Sequence, residues 1–160
     1  MGTIRIVWGS GSAPTAMASY DAALADAGVE NYNLVPVSSV IPATADVEAV
    51  GTAPDLGPAG ERLTVVEARA TTAGPGRVSA ALAWAQSDRG AGPGLFYEVA
   101  DETDAADVET RVREGLAAGQ ELRDWAFDDP TVRAESAAAE SGSYTTALVL
   151  AVYGESEPIV

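Results

Sequence analysis

The chain contains no cysteine, no histidine and no lysine. Without cysteine there is no disulfide framework, no thiolate metal site and no thiol nucleophile. Without histidine there is no Ser-His or Cys-His pair, no imidazole ligand for zinc and no ordinary acid–base group for neutral pH. Without lysine, a pyridoxal phosphate enzyme has no amine on which to seat its cofactor. No apolar run approaches the roughly 20 residues of a membrane-spanning helix. The N-terminus also lacks the charged-then-apolar pattern of a secretory signal, so the expected compartment is the cytoplasm. An enzyme built from this alphabet has to work with carboxylates, hydroxyls, backbone groups, a bound metal, or an electrophile made from its own chain. No group of residues stands out as a metal site.

What is present is acidic and small. The 160 residues carry a formal net charge of −15, and all nine basic residues are arginine. Such a surface repels nucleic acid and anionic membranes. One explanation is an acidic face for a partner. The other is a salt-rich cytoplasm, where screening makes a high acidic charge tolerable; abundant alanine, glycine and aspartate with no lysine fit an extreme halophile. Apolar residues make up 47% of the chain, enough for one domain with a real core and against disorder.

The patterning predicts α+β architecture with largely antiparallel pairing in a single domain over residues 1–160. Thr3–Trp8 alternates as a strand, and Gly9-Ser10-Gly11-Ser12 reads as a turn. That turn lacks both GxGxxG and a following Gly-Lys, so it is a plain loop rather than a phosphate cradle. Thr15–Ala27 reads as a helix with Met17, Tyr20, Leu24 and Ala27 on one stripe and Gly28 as its stop. Residues 43–61 read as a long loop. Leu63–Ala70 and Val78–Ala85 read as a hairpin about Gly74-Pro75-Gly76, and Ser87–Gly94 as a glycine-rich loop. Leu95–Val99 is a short strand. A helix capped by Thr103 reaches to about Trp125 on a stripe of Val108, Val112, Leu116 and Leu122. Thr131–Ala138 and Tyr144–Tyr153 are further strands.

Three features carry chemical interest. Asp21 sits beside the stripe of the first helix, either as a solvated carboxylate or as a pocket-edge acceptor for a guanidinium or ammonium group. Glu98 is one acid among Phe96, Tyr97 and Val99, either facing solvent from a strand or held in an apolar setting. Asn31–Pro42 reads as a strand with two adjacent serines, Ser38 and Ser39, near its end, and Pro36 places that strand at an edge or distorts it. A serine hydroxyl can attack the preceding carbonyl, turning the peptide into an ester, and elimination then opens the chain. The remnant of the second serine becomes a pyruvoyl group, which can form a Schiff base with an amine and act as an electron sink without any lysine. Ser-Ser by spacing alone is common, and two ordinary strand serines would look the same.

The segments Tyr20-Asp21-Ala22-Ala23-Leu24, Asn31-Tyr32-Asn33-Leu34, Val37-Ser38-Ser39-Val40-Ile41-Pro42 and Gly94-Leu95-Phe96-Tyr97-Glu98 resemble those of archaeal-type pyruvoyl-dependent arginine decarboxylases, in the same order and with similar spacing. The resemblance implies cleavage between Ser38 and Ser39, giving a small β chain (residues 1–38) and a larger α chain (residues 39–160) that begins with the pyruvoyl made from Ser39. It implies Glu98 as the proton donor, Asn33 as an active-site amide, and Asp21 and Ser38 as substrate-binding residues. It further implies a layered αββα sandwich, a homotrimer with active sites between subunits, and decarboxylation of L-arginine to agmatine and carbon dioxide. In one continuous strand Asn33 and Ser39 would stand roughly 20 Å apart. Either the chain bends near Pro36, or Asn33 serves a neighbouring subunit. Glu30, where a glycine is common in the family, and the poorly matching residues 43–61 are departures that bear on substrate choice. Two alternatives stay open: decarboxylation of another amino acid, and a non-catalytic acidic binding domain of the same fold.

Overall fold

The computed structural model describes residues 2–88 and 91–160. In chain order the elements are β1 (Thr3–Ala13), α1 (Ala16–Ala27), β2 (Asn33–Pro36), β3 (Val40–Ile41), β4 (Asp46–Gly51), β5 (Arg62–Ala73), β6 (Gly76–Ala85), β7 (Gly94–Asp101), α2 (Ala105–Glu121), β8 (Thr131–Ala139) and β9 (Tyr144–Tyr153). Part of the expected loop Ser87–Gly94, namely Arg89 and Gly90, lies outside the described residues.

Two sheets form, ordered β2-β5-β9-β1-β4 and β3-β7-β6-β8. Pairing is antiparallel except for β1 with β4 and β2 with β5. Strand alternation sorts the side chains into three apolar layers. Ile4, Ile6, Val66, Ala68, Val149 and Ala151 of the first sheet meet Ala80, Leu82, Trp84 and Phe96 of the second. Val7, Val65, Leu148 and Leu150 turn the other way, onto Ala23, Leu24 and Ala27 of α1. Ala81, Ala83 and Leu95 pack on Val108, Val112 and Leu116 of α2. The layers therefore run helix, sheet, sheet, helix, as expected of an αββα sandwich.

Several local expectations change. The Gly9–Ser12 segment is strand, not turn: β1 stays in register with β9 from Ile4↔Tyr153 to Ala13↔Tyr144. Its glycines keep that face flat for the helix; a Cβ on Gly11 would lie 2.6 Å from the Ala23 amide nitrogen of α1. So close a contact needs small residues on the helix too. The buried face of α1 is Ser19, Ala23, Leu24 and Ala27, while Met17 is 73% exposed rather than in the stripe. Thr15 caps the helix by accepting from the Ala18 N–H, and Gly28 (φ 81°) ends it. Residues 43–61 contain β4, an edge strand whose Asp46 and Glu48 mask the apolar alternation. β5 and β6 are not a hairpin. The turn at Gly74-Pro75 carries the chain from one sheet to the other, so each strand pairs elsewhere. α2 is capped by Asp104 rather than Thr103, with its carboxylate accepting from the Asp107 N–H at 2.9 Å, and it ends at Glu121, leaving Leu122 80% exposed.

Candidate active site

The stretch Asn31–Pro42 is not one strand. Asn33–Pro36 lies at the edge of the first sheet, parallel to β5, and Val37 gives that sheet a last hydrogen bond, from its N–H to the Val65 carbonyl at 2.9 Å. Val40–Ile41 belongs to the edge of the second sheet, beside β7. Ser38 and Ser39 are the crossing between them. Pro36 closes the first strand because it cannot donate to a ladder. Ile41 opens the second by burying its side chain completely. Ser38 is exposed and Ser39 is half-buried.

The register of the second edge decides what Ser39 meets. Val40 stands opposite Leu95 and Ile41 opposite Gly94, so one step back places Ser39 opposite Phe96. The Phe96 N–H donates to the Ser39 carbonyl oxygen at 2.7 Å. Side chains two apart on a strand share a face, so Glu98 lies on the same side of β7 as Phe96, diagonal to Ser39 at about 7–8 Å between backbones. Glu98 keeps an open flank, yet burial pushes its carboxyl above the usual carboxylate range, and the bond to its own N–H opposes this only in part. Tyr153, at the end of β9, joins them from the other sheet. Its ring meets Phe96 edge-on at 6.1 Å and its hydroxyl donates to the Val40 carbonyl oxygen at 2.9 Å. Burial, and then the charge on Glu98, push the Tyr153 hydroxyl up to about 12.

The other expected site residues stand apart. Asn33 is exposed, and its amide donates to the Gly60 carbonyl oxygen at 2.7 Å; no hydrogen bond among the described residues joins it to Ser39 or Glu98. The bend after Pro36 exists, but it carries Ser39 into the other sheet rather than back towards Asn33. Asp21 is exposed on α1, on the outer side of the first sheet, in a shallow groove with Thr15, Met17, Tyr20 and Leu24. Beside it is a group that sequence patterning does not reveal. Tyr20 donates to Glu67 at 2.7 Å, and the Arg69 guanidinium lies 4.0 Å above the Tyr20 ring. Burial, then the bond to Glu67, raise the Tyr20 hydroxyl well above its ordinary value. Neither Tyr153 nor Glu67 sits in a motif, and only strand pairing across the whole chain brings them to these places.

The family model for pyruvoyl-dependent arginine decarboxylase matches residues 3–158. The chain belongs to that family. Among its relatives, the pyruvoyl-dependent arginine decarboxylase of Halobacterium salinarum is 61% identical over 159 residues, covering 99% of this chain and 98% of the relative. That of Pyrococcus horikoshii is 34% identical over 138 residues, 85% of each chain. That of Methanocaldococcus jannaschii is 32% identical over 139 residues, 86% of this chain and 79% of the relative. The resemblance drawn from the four short segments thus extends along nearly the whole sequence, and a halophile's protein is among the relatives, in keeping with the acidic, lysine-free composition. A family whose chemistry depends on a pyruvoyl group fits the residues found here. Ser39 carries a hydroxyl on a segment that has left one sheet and barely joined the next. Its carbonyl is anchored by Phe96, and a carboxyl with a raised pKa stands on the adjoining face.

Proposed function

We propose that this chain cuts itself between Ser38 and Ser39 and then decarboxylates L-arginine to agmatine and carbon dioxide. The observation that supports this most is the register that sets Ser39 opposite Phe96, with Glu98 two residues further on the same face. In the cut, the Ser39 hydroxyl adds to the Ser38 carbonyl and the peptide nitrogen leaves, giving an ester. Elimination frees Ser38 as a carboxylate, and water replaces the remaining nitrogen as ammonia. A crossing between two sheets suits this, because the Ser38–Ser39 peptide lies between the strands while the Ser39 carbonyl is held by the Phe96 N–H.

Once formed, the pyruvoyl group supplies an electron sink conjugated to the substrate's amine. The side chains do the rest. Glu98, whose hold on its proton burial strengthens, delivers a proton to the substrate Cα after carbon dioxide leaves. Asp21 offers a planar carboxylate for the guanidinium group, with Ser38 as a second substrate contact and Asn33 as an amide donor. Asp21 and Asn33 do not reach Ser39 within one protomer, which supports a homotrimer in which neighbouring subunits complete each site. Met17, Val35, Val37 and Val40 are 73%, 39%, 41% and 42% exposed, and these apolar side chains beside the candidate residues suit coverage by another copy. No helix among the described residues is long and apolar enough to cross a membrane, and the cytoplasm remains the proposed compartment.

Intact mass of the purified protein tests the proposal. Two chains are expected, ending at Ser38 and beginning at residue 39, and Ser39→Ala should remain one chain and release no carbon dioxide. A single unmodified parent chain would sink the catalytic reading and leave the acidic binding domain. Carbon dioxide release from arginine against lysine and ornithine decides the substrate.

A further inference from the structure

Cutting after Ser38 creates a problem that the intact fold does not have. The new terminus is carried by β3, a strand of two residues at a sheet edge, whose covalent tie back to β2 is gone, so that only its far end, through residues 42–45 to β4, still joins the first sheet. Short terminal segments fray unless something holds them. Besides the short pairing of β3 with β7, the large-chain side keeps the buried Ile41 side chain, the Phe96 N–H on the Ser39 carbonyl, and the Tyr153 hydroxyl on the Val40 carbonyl. Successive carbonyls on a strand point in opposite directions. The Ser39 carbonyl faces β7, so the Val40 carbonyl faces the open edge, where no strand among the described residues pairs with it. Tyr153 meets it there from the other sheet.

We propose that Tyr153 is a positioning residue that holds the new large-chain terminus in place after the cut. This rests on cleavage at Ser38–Ser39. The hydroxyl takes over the role of the lost tie to β2, linking the second sheet's edge to the first sheet through Val40. Its ring, set edge-on against the buried Phe96, is itself fixed by packing, so the donor is held before it is needed. The hydroxyl is pushed up to about 12, so it remains a donor throughout the neutral range.

The experiment compares Tyr153→Phe in two backgrounds, the cleaving protein and the uncut Ser39→Ala protein. Phenylalanine keeps the ring contact and removes only the hydrogen bond. Intact mass should show Tyr153→Phe cut as completely as its parent. In the cut protein, the amides of Val40 and Ile41 should exchange about 5- to 10-fold faster than in the cut parent, the scale of one lost hydrogen bond. In the Ser39→Ala background, where the chain still runs unbroken from β2 into β3, the same change should speed exchange by less than about 2-fold. Turnover should fall about 10-fold with KM within about 2-fold, as expected for a displaced reacting group. Exchange at the same rate in cut Tyr153→Phe and in its cut parent would overturn the proposal. So would an equal loss in both backgrounds, which marks a plain fold contact, or failure of Tyr153→Phe to cut, which places the hydroxyl in cleavage itself. An uncut parent would instead refute the cleavage on which the proposal rests, and the parent's mass shows this independently of Tyr153.

Discussion

Glu98 shows what a single residue owes to its surroundings. On paper it is one acid in an apolar strand. In the fold it shares a face with the buried Phe96, and burial lifts its pKa. A general acid works when protonated, so the activity that depends on Glu98 should fall as pH rises through that raised value. Glu98→Gln should keep the cut, lower turnover about 10²- to 10⁴-fold and lose that pH limb, as read by carbon dioxide release from about pH 5 to 9. Stability runs in the same direction. A carboxyl whose folded pKa lies above its unfolded value contributes most below the unfolded value and loses that contribution as pH rises through the folded one. The neutral glutamine should therefore melt no lower than the parent at pH 7, and somewhat higher if the exposed flank leaves any desolvation cost to relieve. A lower melting point would contradict the assigned direction.

Among the elements, β1 and α1 show a motif whose first meaning changes on folding. Gly9-Ser10-Gly11-Ser12 carries a turn's composition, but the segment pairs with β9 throughout and uses its glycines for close approach to α1. Gly11→Ala should destabilise the protein by about 1–3 kcal/mol through overpacking, read as a lower urea midpoint with an unchanged slope. An unaffected midpoint would show that α1 can shift outward at little cost. The helix itself is legible: Thr15 and Gly28 mark its ends in the sequence and in the fold. Its buried face is legible in part: Leu24 and Ala27 are buried and Tyr20 packs against the same layer, but Met17 is exposed and its place is taken by the small Ser19 and Ala23 that the glycine-lined contact requires. The strand from Tyr144 to Tyr153 is readable with its ends in place, since a strand with sheet neighbours on both sides and helix and sheet on its faces leaves a continuous apolar run.

For the molecule as a whole, charge dominates. A net charge of −15 on 160 residues opposes the compact state and opposes any association of copies. Salt screens both. The thermal midpoint should rise by about 10 °C or more between about 0.2 M and 2 M potassium chloride, and native mass should show three copies at high salt giving way to one as salt is removed. A midpoint indifferent to salt would count against the halophilic reading of the composition. A monomer at every salt concentration would count against sites shared between subunits.

By itself, the sequence determined which chemistry was available. A chain without lysine, histidine or cysteine has few routes to covalent catalysis, and residue types are readable without any fold. It also determined the α+β class, because periodicity is a local property. Tertiary structure alone decided that Asn31–Pro42 is two strands in two sheets with Ser38 and Ser39 as the crossing. It alone decided that β5 and β6 part company at Gly74-Pro75, and that Tyr153 meets Val40 across 113 positions of sequence. Which strand pairs with which depends on burying both faces of both sheets at once, and no stretch of sequence carries that condition alone.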